Sequence, residues 1–259
     1  MEAVRSSRER FLRSLPRGPG DFALQLAIWL GFGLLYQVAR GVADRDTAEA
    51  FANGQLIIDA ERALRTFIET DVQRLVLSGG DVLVQALNWT YWNSQFTAIG
   101  LALLWVYFRR NDSFLRLRNT LLLANTIGLI GFIAMPTAPP RFYPELGFVD
   151  TLAGVSGLNH GSGLVQLASN QFAAMPSLHS ADALILGIAM FTLVRTPLAK
   201  ALWLLWPAWV WFTVIGTGNH YWLDVAAGVA LALLSIWLVV FLERRLGSHT
   251  ERLRGATVG

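Results

Sequence analysis

The sequence predicts an all-α integral membrane protein, a bundle of six transmembrane helices with one further helix lying along the outer interface. Of its 259 residues, 54% are hydrophobic and only 15% charged, a balance unlike that of a soluble domain of this length. Six apolar stretches come near the roughly 20 residues needed to cross a hydrocarbon core, and none carries a Lys or Arg in mid-span. The basic residues gather on alternate flanks of those stretches, which selects one threading of the chain.

The six spans fall at 22–39, 82–108, 119–136, 178–194, 198–215 and 222–242. Arg5, Arg8, Arg10, Arg13 and Arg17 precede the first, and Arg109, Arg110, Arg116 and Arg118 follow the second. Arg195 and Lys200 follow the fourth, and Arg244, Arg245, Arg252 and Arg254 follow the sixth. The positive-inside rule then puts both chain ends in the cytoplasm: a basic tail at 1–21, the transmembrane domain at 22–243 and a second basic tail at 244–259. The expected home is the plasma membrane. Because the basic residues are split among short loops, a nucleic-acid partner is not expected. Gly41, Val42 and Ala43 would suit a signal peptidase, but an 18-residue apolar run is long for a signal core, so a retained helix is favoured.

Three connections then face outward, at 41–81, 137–177 and 216–221. In the first, Leu56, Ile57, Ala60, Leu64, Phe67, Ile68, Val72 and Leu75 recur at three- and four-residue spacing, opposite Asp59, Glu61, Arg62, Arg65, Glu69 and Arg74. That pattern predicts an amphipathic interfacial helix, a packing brace in preference to a substrate lid. The second holds Pro136, Pro139, Pro140 and Pro144, then Gly154, Gly157, Gly161 and Gly163, and cannot be helical throughout. Its length of about 40 residues suits a functional loop.

The chemistry sits at the ends of the last two outer connections. Arg141 follows a proline-rich run directly after the third span, and its planar guanidinium suits phosphate oxygens or, alternatively, a lipid headgroup. His179 lies in Pro176-Ser177-Leu178-His179 at the start of the fourth span, with Ser177 as candidate N-cap and the helix dipole attracting an anion. His220 opens the sixth span, and Asp224 follows one helical turn later inside the apolar run, where an unpartnered carboxylate is costly. A carboxylate holding one ring nitrogen leaves the other with its lone pair toward substrate. Asp182, one turn after His179, could tune that ring, and Asn88, Asn93, Ser94 and Gln95 interrupt the second span. His160 and His249 receive no catalytic role. No cysteine occurs, the histidines and carboxylates lack close metal-ligand spacing, and no phosphate-binding glycine loop is present, so neither metal nor cofactor is expected.

Taken together, Pro139-Pro140-Arg141, Pro176-Ser177-Leu178-His179 and His220-Tyr221-Trp222-Leu223-Asp224 resemble the three signature blocks of the phosphatidic acid phosphatase type 2 superfamily, most closely its inositol phosphorylceramide synthase branch. The resemblance implies a metal-independent lipid phosphatase or phosphotransferase whose site opens to the extracytoplasmic face. It makes His220 the nucleophile that forms a phosphohistidine, Asp224 its orienting acid and His179 the proton donor to the leaving oxygen. Arg141 and Ser177 would bind the phosphoryl oxygens. The expected partners are a phosphorylated lipid, the surrounding membrane lipids and a polyol acceptor such as inositol. Superfamily phosphatases usually carry a lysine and an arginine where this chain has Ala134 and Val214; that loss of positive charge suits a phosphodiester better than a phosphomonoester. The rival expectation is a transporter or flippase that holds lipid phosphate without cleaving it.

Overall fold

The computed structural model describes residues 12, 14–42, 46–152 and 171–256. Within them lie nine α-helices and no strand: α1 (Gly18–Val42), α2 (Thr47–Ala63), α3 (Glu69–Ser78), α4 (Asp81–Gln95), α5 (Thr97–Arg109), α6 (Asn111–Ala134), α7 (Leu178–Leu193), α8 (Pro197–Gly216) and α9 (Trp222–Ala256). His160 and the glycine-rich stretch around it lie outside the described residues, as does the side chain of His249.

Among the described residues four helices are long and apolar enough to cross a membrane: Gly18–Tyr36, Asn111–Ala134, Pro197–Gly216 and Trp222–Leu246. The expected fourth span is the shorter α7, at 16 residues roughly 24 Å long. It is the hub of the bundle, touching α4, α5, α6, α8 and α9. Such a position lets a short helix be apolar without facing lipid on every side.

The expected second span is not one helix. It is interrupted at Phe96, between α4 and α5. Polar side chains in this stretch compete for helix carbonyls: Asn93 Nδ2 donates to Trp89 O at 2.8 Å, Ser94 Oγ to Tyr91 O at 3.3 Å and Thr90 Oγ1 to Ala86 O at 2.9 Å. Competition of this kind bends or breaks helices.

The outer segment also differs from the expected single amphipathic helix. Arg65 adopts φ 59° and the chain turns there, splitting the segment into α2 and α3. Burial cuts across the two rows: Leu56, Leu64 and Leu75 are exposed and Ile57 is buried, while Glu61, Glu69 and Gln73 are buried and Asp59 is exposed. Leu56, Leu64 and Leu75 face outward, and of the carboxyls on this pair of helices Glu61 and Glu69 face the bundle while Asp59 and Asp71 are exposed.

Loop 136–152 is stitched to α2 and to the start of α9. Ala138 N donates to Ala50 O at 2.9 Å, Asn53 Nδ2 to Pro136 O at 2.8 Å, and Tyr143 OH to Phe51 O at 2.9 Å. Phe51, Phe142 and Phe172 gather above this seam with ring centroids about 6 Å apart. The prolines at 140 and 144 each open a single 3-10 turn, so the loop is rigid although not helical.

Helices in the bundle cross where glycine removes the side chain between them. At Gly187 of α7, a Cβ would meet the ring of Pro207 in α8 at 2.7 Å; at Gly128 of α6, it would meet Leu178 at 2.5 Å. Gly228 of α9 lies against the backbone carbonyl of Ser177, with Ser180 Cβ 3.1 Å from the place a Cβ would take. Small residues at such crossings let backbones approach. Gly228→Ala is therefore expected to lower stability by about 1–3 kcal/mol, since the obstructing atom is backbone and cannot rotate away. Gly100→Ala, with open space around it, should be neutral or stabilising by about 0.5–1 kcal/mol. Thermal unfolding in detergent micelles compares the two.

Candidate active site

The starts of α7 and α9 meet at one end of the bundle. Ser177 N donates to the Asp224 carbonyl at 3.0 Å, and Arg141 N in loop 136–152 donates to the Gly218 carbonyl at 2.8 Å. Gly218 has φ 70°, a conformation that favours glycine, and its turn returns the chain from α8 into α9. Two turns of chemistry-bearing sequence, remote along the chain, are thereby joined through backbone alone.

Local hydrogen bonds decide how His220 presents itself. Its Nδ1 lies 2.9 Å from the Ala174 carbonyl and 3.3 Å from Asp224 Oδ2. A carbonyl oxygen only accepts, so Nδ1 carries the proton, and the lone pair of the neutral ring is on Nε2. Asp224, fully buried, also accepts from Tyr221 N at 2.9 Å. The carboxylate thus fixes both the imidazole and the peptide that carries the next residue.

His179 stands opposite, its ring centroid 5.8 Å from that of His220. Its Nε2 lies 3.2 Å from the Tyr91 carbonyl, which again assigns the proton to the bonded nitrogen and the lone pair to Nδ1. The Tyr91 ring stacks on it at 4.3 Å with an 18° interplanar angle. Tyr91 therefore supports His179 twice, with backbone oxygen and with ring, and sequence reading gave no sign of it because stacking leaves no spacing pattern.

Arg141 is aligned by Asn219, the residue before His220. Its Nη1 donates to Asn219 Oδ1, and Asn219 Nδ2 donates to Thr217 Oγ1 at 2.8 Å. Asp150 Oδ2 lies 4.0 Å from Arg141 Nε, and the guanidinium covers the Phe142 ring at 4.8 Å. Ser177 is fully buried and caps α7, its Oγ accepting from Ser180 N at 3.3 Å and from Ser180 Oγ at 3.0 Å. Its hydroxyl hydrogen is the part of it that can serve a bound anion.

Two other residues of the expected site map differently. Asp182 is buried in α7 and accepts from Asn125 Nδ2 at 2.8 Å, an interhelical bond to α6. At the position where superfamily phosphatases usually carry an arginine, Val214 is fully buried beside Val210 and Val225, and its carbonyl accepts from both Asn219 N at 3.0 Å and His220 N at 3.1 Å. A charged side chain has no place in that apolar packing. Among the described residues no cluster of three or more His, Cys, Asp or Glu could hold a metal.

A family model described as PAP2 superfamily matches residues 55–238, well over half of the chain, including Arg141, Ser177, His179, His220 and Asp224. The chain belongs to the PAP2 superfamily. Among curated proteins it is similar to a phosphoinositol dihydroceramide synthase of Bacteroides thetaiotaomicron, 30% identical over 152 residues, which cover 51% of this chain and 48% of that protein. It is also similar to an inositol phosphorylceramide synthase of Candida albicans, 28% identical over 125 residues, or 42% of this chain and 26% of that one. The matches thus span about half of the first relative's length and about a quarter of the second's. No solved structure matches.

Asp224→Ala is expected to destabilise this PAP2 protein by about 2–4 kcal/mol, because it strands the buried Tyr221 amide and removes a partner of His220. Asp224→Asn keeps an acceptor for the amide and should recover much of that loss. Unfolding midpoints of the two variants in one detergent provide the check.

Proposed function

We propose that this chain is an integral membrane phosphotransferase that moves a phosphorylated headgroup from a lipid to an acceptor hydroxyl through a phosphohistidine on His220. The observation that carries the reading is the double acceptor on His220 Nδ1, which leaves the Nε2 lone pair as a nucleophile with a second imidazole beside it. A protein that only held phosphate would have little use for that arrangement.

In the first step Nε2 forms a bond to phosphorus while the bond from phosphorus to the leaving oxygen breaks. His179, in its protonated form, gives that oxygen a proton. In the second step the acceptor hydroxyl attacks phosphorus, the bond from phosphorus to Nε2 breaks, and His179 takes the hydroxyl proton. Asp224 stabilises the positive charge that builds on His220, and the Arg141 guanidinium together with the N-terminus of α7 faces the phosphoryl oxygens. Ser177 contributes its hydroxyl hydrogen. Each step balances without a metal or a cofactor.

Charge favours a phosphodiester donor. With Ala134 and Val214 where superfamily phosphatases usually carry basic residues, Arg141 is the guanidinium left at the expected phosphate position, and one cation suits the single charge of a diester better than the double charge of a monoester. The names of both relatives point to phosphoinositol as the group moved and to the hydroxyl of a ceramide as the acceptor. Six crossings fit this reading, with α7 and the α4–α5 pair completing the four longer helices. Both chain ends then lie in the cytoplasm and the site opens outward at the plasma membrane.

Purified protein given a phosphorus-labelled lipid phosphodiester is expected to form an acid-labile phosphorylated species that His220→Ala lacks, with turnover reduced roughly 10⁴-fold. Products with and without an added ceramide separate a new phosphodiester from a headgroup phosphate released to water. Normal turnover by the His220 variant would end the proposal, and binding of the lipid without cleavage by the wild type would favour a transporter. Chelators should leave the rate unchanged; loss of activity in EDTA with recovery on adding a metal would contradict the metal-free steps.

A further inference from the structure

Two glutamates that take no part in those steps are buried beside the nucleophile. Glu61 near the end of α2 and Glu69 at the start of α3 are both fully inaccessible to solvent. Glu69 Oε1 accepts from Trp222 N at 2.8 Å, and Glu61 Oε1 accepts from Leu223 N at 3.1 Å. With Asp224 Oδ2 holding Tyr221 N, three successive backbone amides at the start of α9 are each claimed by a different carboxyl. These amides have no partner within the helix itself.

The second oxygens of Glu61 and Glu69 are buried and take no hydrogen bond, while their first oxygens bind adjacent amides of the same turn. Among the described residues neither forms an ion pair, and Arg62, beside Glu61 in sequence, turns away over the Phe67 ring at 5.2 Å. The titratable groups acting on the pair are Asp224 and the phenol of Tyr221, both at the start of α9. Two carboxylates so close to a third, with no cation, would repel strongly. A single proton between them removes that cost.

We propose that Glu61 and Glu69 share one proton and, through the backbone of Trp222 and Leu223, act as positioning residues that hold His220 and Asp224 in register for phosphoryl transfer. The inference rests on the function proposed above. Burial, followed by the charge of Glu69, raises Glu61 from the ordinary carboxyl range to about 9, and burial likewise raises Glu69. The pair therefore keeps its proton at neutral pH and loses it in alkali. Repulsion among three carboxylates then loosens the first turn of α9.

The test uses the full chain in detergent with a labelled lipid phosphodiester. Glu61→Gln keeps the acceptor oxygen and supplies a hydrogen toward Glu69, so its kcat at pH 7 should stay within about 3-fold of wild type. Glu61→Ala and Glu69→Ala should lower kcat by about 10- to 100-fold with KM changed by less than about 3-fold. Wild-type activity should fall above about pH 9, and that alkaline fall should be absent in Glu61→Gln. Wild-type kcat in Glu61→Ala, no rescue by Gln, or an unchanged alkaline fall in Glu61→Gln would each overturn the inference.

A readout free of activity separates this idea from the function on which it rests. A carboxyl protonated in the folded protein and ionised in the unfolded chain makes stability fall as pH rises from about 4.5 to about 9. The unfolding midpoint of Glu61→Gln should fall less steeply over that window than that of the wild type. Equal slopes would refute the shared proton whatever the enzyme does, whereas absent turnover in the wild type with the slopes as expected would refute only the proposed reaction. If Glu61→Ala does not fold, the Gln variant still decides.

Discussion

The hydrogen bond from the Ser177 amide to the Asp224 carbonyl is the constraint on which the rest of this molecule depends. It joins the first turns of two helices whose starts are more than forty residues apart, and it exists because Gly228 lets the α9 backbone lie against the Ser177 carbonyl. Any side chain at 228 would hold the helices apart. The 5.8 Å separation of the two imidazoles follows from that crossing, and so does the position of the Ser177 cap beside the acid that orients His220.

Around this crossing the protein uses backbone carbonyls to set the chemistry of side chains. Ala174 and Tyr91 each offer an oxygen that can only accept, and each thereby chooses which nitrogen of a histidine keeps its hydrogen. One carbonyl, of Ala174, lies in the approach to α7; the other, of Tyr91, lies near the C-terminal end of α4, so a helix carbonyl also serves His179.

Much of this was legible in the sequence, and the gaps have physical causes. Apolar run length located α6, α8 and the greater part of α9, and the polarity of Asp224 inside such a run pointed to His220 four residues earlier. The sequence pattern read the segment 56–75 as one interfacial helix with Glu61 and Glu69 on its polar face, and it missed both the turn at Arg65 and the burial of those two glutamates. At a membrane interface the usual sense of amphipathicity reverses: lipid is an acceptable neighbour for Leu56, Leu64 and Leu75, while the interior offers helix amides to Glu61 and Glu69. Asn219 and Tyr91 were invisible because they act by aligning other side chains, through contacts between distant parts of the chain.

The fixed hydrogen on His220 Nδ1 has a geometric consequence. Turning the ring over would present a carbon to Ala174 and Asp224 and cost the His220 hydrogen bonds to both, so the imidazole offers the same nitrogen, along the same line, to whatever enters. In the two-step transfer proposed above, donor and acceptor would exchange places on one side of phosphorus, opposite that nitrogen. Each displacement would turn the phosphorus centre inside out, and two in succession would restore its handedness, so a chiral phosphorus centre would leave the protein with the configuration it brought.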